Sequence, residues 1–176
     1  IAIKSGVEQS KYRIPCENIT VTNCTMLYGH GGVVIGSEMS GDVRNVTISN
    51  CVFEGTDRGI RLKSRRGRGG SVEDIRINNI VMTKVMCPLI MNLYYFCGEG
   101  GKADIVKDKN PQPVDEGTPA FRRIHLSNVT ARDAGACAGF FYGLPEMPIE
   151  DISFDNVSVH MDADGKPDVP AMMDNL

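Results

Sequence analysis

The sequence predicts an all-β solenoid, a chain wound into stacked coils, and three observations predict it. A short strand pattern closing on Asn recurs as Ile-Thr-Val-Thr-Asn, Val-Thr-Ile-Ser-Asn, Ile-Arg-Ile-Asn-Asn, Ile-His-Leu-Ser-Asn and Ile-Ser-Phe-Asp-Asn. Its first positions, 19, 46, 75, 124 and 152, lie 27, 29, 49 and 28 residues apart, a period typical of repeat architectures with one supersecondary unit per coil. A second set of strands occupies 1–5, 33–37 and 60–64, the last two again 27 apart. Helical periodicity is almost absent, whereas short alternating runs recur throughout.

Each element has its own reason. Residues 1–5, 33–37 and 60–64 begin on β-branched residues and end in Ser, so they stack as one ladder. The Asn-terminated strands form the other ladder, since a single thin coil cannot bury its apolar face and neighbours must lie above it at about 4.8 Å. Asn suits the end of such a strand because it tolerates the left-handed backbone of a tight turn, and stacked amides can bond from coil to coil. Asn18, Asn23, Asn45, Asn128 and Asn156 fall in Asn-x-Ser/Thr sequons, and the same structural explanation covers them. The 49-residue step holds an excursion at 98–119, rich in Gly, Lys, Asp and Pro, that leaves the coil. The expected domain therefore spans 1–161, with 162–176 as a Pro-containing tail.

Composition narrows the function classes. At 176 residues and a formal net charge of −3, the chain is one globular unit without the basic balance of a dedicated nucleic-acid binder. No apolar run approaches the roughly eighteen residues of a membrane span. Six cysteines, at 16, 24, 51, 87, 97 and 137, make no CxxC pair and no zinc spacing. They would permit disulfides if the protein is exported, but Cys24 and Cys51 occupy equivalent repeat positions, and most of the six read as small buried hydrophobes. No metal and no cofactor is expected.

The chemistry-bearing residues gather where the two ladders agree. In the strand 60–64, Ile60 and Leu62 face inward while Arg61 and Lys63 project outward side by side. Arg offers a planar fork to a carboxylate and Lys a mobile point charge. His30 lies between Gly29 and Gly31, which let the backbone turn and a sugar approach closely. His30 and Asp57 share a phase one coil apart. Arg58, Arg65, Arg66 and Arg68 extend a basic run that can hold a polyanion; no interleaved aromatics point to nucleic acid. His125 and His160 lie on later coils and read as structural.

Gly29-His30-Gly31, with Gly55-Thr56-Asp57-Arg58-Gly59-Ile60-Arg61-Leu62-Lys63-Ser64 after it, resembles the substrate-site motifs of glycoside hydrolase family 28, the polygalacturonases. The resemblance runs from residue 1 to about residue 96. It implies a right-handed, single-stranded parallel β-helix and inverting hydrolysis of α-1,4-linked galacturonic acid in pectin, with polygalacturonate as partner. It also implies a supporting catalytic role for His30 and substrate binding by Gly31, Arg61, Lys63 and Tyr94, with Asp57 and Arg58 as further cleft-lining candidates. The family's Asn-Thr-Asp motif and Asp-Asp pair are absent, and the string opening at Ile1 resembles the family segment immediately downstream of that pair. The expectation is a helix truncated on its N-terminal side, inactive alone and prone to self-association through its first coil. The intact protein would be exported, to the exterior or the periplasm. Rival readings are a rhamnogalacturonan or xylogalacturonan hydrolase, a calcium-dependent lyase, and a non-catalytic polysaccharide-binding β-helix module.

Overall fold

The computed structural model describes residues 1–96 and 98–168. Strands dominate: β1 (Ala2–Ile3), β2 (Cys16–Thr22), β3 (Thr25–Leu27), β4 (Val33–Gly36), β5 (Val43–Glu54), β6 (Arg58–Lys63), β7 (Ser71–Thr83) and β8 (Cys87–Asn92), then β9 (Ala120–Ala134), β10 (Gly139–Tyr142) and β11 (Glu150–Met161). Between β8 and β9 stand a 3-10 turn (Glu99–Lys102) and a one-turn helix α1 (Asp104–Lys107). Among the described residues, no helix is long and apolar enough to cross a membrane.

All strand pairing within the two sheets is parallel. One sheet runs β1-β4-β6-β8-β10 and the other β11-β9-β7-β5-β2, with β3 also on β5. Ile19, Val46, Ile75, Ile124 and Ile152 stack in register, so the 27, 29, 49 and 28-residue steps read from the sequence are successive turns of one solenoid. In the first sheet Val33 pairs with Ile60, which is the second predicted ladder.

The core arises from strand alternation. Ile48, Ile77 and Leu126 form one inward row, Phe53, Met82 and Ala131 another, and each is at most 1% exposed. Burying one Ile or Leu side chain contributes about 1.5–3 kcal/mol, and rows of like residues let that gain repeat from coil to coil. Cys51 joins such a row above Ile80 and Val129 and is 2% exposed. Cys24 and Cys51 each direct a thiol at the strand carbonyl two residues earlier (3.2 and 3.1 Å), as befits equivalent positions. Cys97 and the tail from 169 onward lie outside the described residues.

The coils bend at stacked left-handed residues. Asn23, Asn50, Asn79, Asn128 and Asn156 have φ between 50° and 56°. Their amides bond between coils, Asn79 to Asn50 at 2.8 Å and Asn156 to Asn128 at 2.7 Å. A second bend column is made of Asn18, Asn45, Asp74, Arg123 and Asp151. Here chemistry varies while geometry does not: Asn45 donates to Asn18 (3.3 Å), and Arg123 grips Asp74 through two hydrogen bonds.

Candidate functional site

The basic run resolves into two different jobs. Arg65, Arg66 and Arg68 are only 4–5% exposed, and they grip the protein itself. Arg65 and Arg68 both pair with Glu8 (2.8 and 2.9 Å). Arg66 forks onto Glu146 through Nε and Nη2 (2.6 and 3.0 Å) and donates to the carbonyls of Ile105 and Asn110 on the excursion. The expectation that this stretch holds an external polyanion is corrected for these three: they fasten loops over the first sheet.

Arg61 and Lys63 sit on β6, the middle strand of that sheet. Ile60 and Leu62 point inward at 2% and 0% exposure, as alternation requires. Arg61 is itself buried at 5%, and Lys63 is half-buried. The aromatic that reaches this pair is Tyr95. Lys63 Nζ donates to the Tyr95 hydroxyl at 3.3 Å and stands 4.5 Å from its ring centre, while the Arg61 guanidinium lies 5.5 Å from the same ring.

Tyr94 turns elsewhere. Its ring meets Tyr142 edge-on at 4.9 Å and carries Lys109 over its face at 4.4 Å, with Arg66 also near. Side chains alternate, so one step along the chain moves an aromatic to a different neighbourhood. Tyr94, Lys109 and Tyr142 line a shallow cleft of about 470 Å³. It continues the Lys63 column, because Lys63 pairs with Asn92 and Asn92 with Tyr142.

His30 and Asp57 lie one coil apart and touch, as their shared phase predicts: Nδ1 stands 2.7 Å from Asp57 Oδ2. The backbones hold them there through the Asp57 amide and the Gly29 carbonyl (2.8 Å). Gly29 has φ of 90°, which a side chain would strain. A Cβ on Gly31 would come within 2.5 Å of Val34, so both glycines of the tripeptide have a steric basis. Arg58, 4% exposed, donates to the same Asp57 oxygen at 3.3 Å. Asp57 thus joins an exposed imidazole to a buried guanidinium. With Nδ1–H donating to Asp57, Nε2 of His30 is left to meet solvent or a partner. A cleft of about 740 Å³ opens beside Asp57, bounded by Thr56, Lys84, Met86, Asp133 and Ala136.

The structure therefore brings His30, Asp57 and Arg58 together at the entrance to β6. It places Arg61, Lys63 and Tyr95 farther along that strand, about 13 Å from Asp57 to Arg61 at the usual strand rise. Tyr95 and Lys109 were not singled out from the sequence; the adjacent Tyr-Tyr was visible, but its facing was not. His125 contacts Ser153 of the next coil at 2.6 Å, away from both groups. Among the described residues, no cluster of three or more His, Cys, Asp or Glu is arranged to hold a metal.

Comparison with known proteins decides the family. The model of glycosyl hydrolases family 28 matches residues 1–169. The chain belongs to glycosyl hydrolases family 28. Family membership extends well beyond residue 96, through the coils where the motifs thin out. A probable polygalacturonase of Vitis vinifera is 30% identical over 169 residues, covering 94% of this chain and 32% of that protein. An endo-polygalacturonase of Pectobacterium carotovorum subsp. carotovorum is 36% identical over 100 residues, covering 57% of this chain and 23% of its own length. The crystal structure of a hyperthermoactive exopolygalacturonase from Thermotoga maritima superimposes with a TM-score of 0.75 at 30% identity, covering 90% of this chain and 35% of that one. The chain thus spans about a third of the length of the Vitis vinifera and Thermotoga maritima proteins.

Proposed function

We propose that the intact protein hydrolyses α-1,4-galacturonosidic bonds of polygalacturonate with inversion at the anomeric carbon. The carrying observation is the Arg61–Lys63–Tyr95 group on the outer side of β6: Lys63 is its open member, while Arg61 and Tyr95, 5% and 6% exposed, stand behind it, and together they form a seat for a sugar that bears a carboxylate. Arg61 supplies the fork and Lys63 the point charge. Tyr95, itself buried, holds both cations in place through its ring and hydroxyl. The aromatic cleft around Tyr94, Lys109 and Tyr142 would receive the next residues of the polymer.

Inversion needs one carboxylic acid to protonate the leaving oxygen and one carboxylate to activate water, about 6.5–9.5 Å apart. We assign these to the part of a full-length relative that this chain does not span. His30 would act on them through Nε2, kept in one tautomer by Asp57, with Gly31 giving the sugar close access and Arg58 positioning Asp57. Export is expected from the substrate, which is a polymer outside the cell. Self-association through the first coil is part of the same reading, since Ile14, Leu27 and Tyr28 are exposed there; a monodisperse monomer by light scattering at high concentration would remove it.

The test compares reducing-sugar release from polygalacturonate, rhamnogalacturonan and xylogalacturonan by the full-length protein and by the 176-residue chain. Release from polygalacturonate by the full-length protein alone is expected. Activity of the short chain would overturn the assignment of the carboxylates. Failure of the full-length protein on polygalacturonate would overturn the substrate.

A further inference from the structure

Cys87 and Cys137 occupy neighbouring coils, and their Sγ atoms stand 3.1 Å apart as free thiols. The backbone puts them there. β10 runs in register on β8 from Gly139 against Leu89, and just before it the amides of Ala136 and Cys137 both reach the Met86 carbonyl (2.9 and 3.4 Å). Neighbouring parallel strands lie about 4.8 Å apart, inside the roughly 4.4–6.8 Å that separates Cα atoms across a disulfide. Together with Ile90 and Phe140 the two cysteines form a small apolar cluster apart from the main core. Cys24 and Cys51 address strand carbonyls, as Cys87 also does toward Leu89 (3.7 Å); what sets Cys87 apart is the second thiol against it.

We propose that Cys87 and Cys137 are an oxidation site, closing to a disulfide that staples two coils beside the candidate active site. Cys137 is the entry thiol. It is half-buried and comes directly after Ala136, which lines the larger cleft. The hydrogen bond with Cys87, aided by the nearby charge of Arg58, holds the Cys137 thiol below its ordinary range. The same hydrogen bond, then burial, push the Cys87 thiol up, so it waits for the second step.

The oxidant is a low-molecular-weight disulfide such as oxidised glutathione. The Cys137 thiolate attacks one of its sulfurs; a mixed disulfide forms, the glutathione S–S bond breaks, and one glutathione leaves and takes up the proton that Cys137 lost. Cys87 then gives up its proton and attacks the Cys137 sulfur, and the second glutathione departs with that proton. Two electrons and two protons pass from the protein thiols to glutathione disulfide. An exported protein meets an oxidising environment in which such a bond persists.

The staple bears on the site through the backbone. The Cys87 amide donates to the Asp57 carbonyl at 3.1 Å, and Cys87 pairs in register with Arg58. Closing a loop across 50 sequence positions also restricts the unfolded chain, so the oxidised protein should melt at a higher temperature.

The test treats the purified protein with oxidised glutathione, blocks remaining thiols with iodoacetamide under denaturing conditions, and digests without reduction. Mass spectrometry is expected to show a peptide joining Cys87 to Cys137 that dithiothreitol releases. The oxidised protein should also show a raised Tm, which Cys137→Ser loses and Cys16→Ser keeps. Alkylation of both cysteines after oxidation overturns the proposal. So does a linked peptide that joins either one to a different cysteine.

Discussion

Replacing Arg66 by Ala should cost the protein far more than an ordinary ion pair is worth. Arg66 and Glu146 have side chains 4% and 5% exposed, and the guanidinium spans two carboxylate oxygens and carbonyls of the excursion. Removing it strands a buried carboxylate, for which a loss of about 3–5 kcal/mol is expected. Urea unfolding measures the total. Hydrogen exchange at the Val106 and Asp108 amides, which close α1 onto Ala103 and Asp104, locates it, because the excursion should loosen first. Arg66→Lys should recover only part, since an ammonium cannot reproduce the fork. The double change Arg66→Met with Glu146→Leu should cost less than Arg66→Ala alone. The Arg66 hydrogen bond holds the Glu146 carboxyl below its usual range, against the opposing effect of burial. A depressed folded value means this stabilisation is present above the unfolded value of about 4.3 and disappears as pH falls through the folded one. The wild type should therefore lose stability on acidification through a component that Arg66→Ala lacks. A loss under about 1 kcal/mol, the worth of an exposed pair, with unchanged exchange at Val106 would refute the reasoning.

Asn79→Ala removes the 2.8 Å bond to Asn50 and leaves Ala at φ 55°; a loss of about 2 kcal/mol in urea is expected. Asn79→Gly should lose less, and equal losses would remove the conformational part of the argument. In the full-length protein Tyr95→Leu should weaken oligogalacturonate binding about tenfold by calorimetry, as expected from two desolvated cation–π contacts. Tyr94→Leu should chiefly lower Tm, and the reverse pattern would move the sugar seat from Tyr95 to Tyr94.

Much of this protein could be read before any coordinates. A stacked coil must repeat its inward row and its bend at one period, so the Ile-x-Ile-x-Asn strands disclosed the solenoid, its register and the Asn column. They also put His30 over Asp57, because phase along the chain becomes contact between coils. The other bend column stayed hidden: Asn45, Asp74 and Arg123 share a backbone conformation without sharing chemistry, and sequence records only the chemistry. Arg65, Arg66 and Arg68 look like the continuation of Arg61 and Lys63, yet whether an arginine meets solvent or Glu146 depends on where distant loops return. The choice between Tyr94 and Tyr95, the approach of Lys109 and the meeting of Cys87 with Cys137 were decided in the same way. Local alternation and period belong to the chain itself. Partners 32 to 80 positions apart exist only once the coils have stacked and the excursion has folded back.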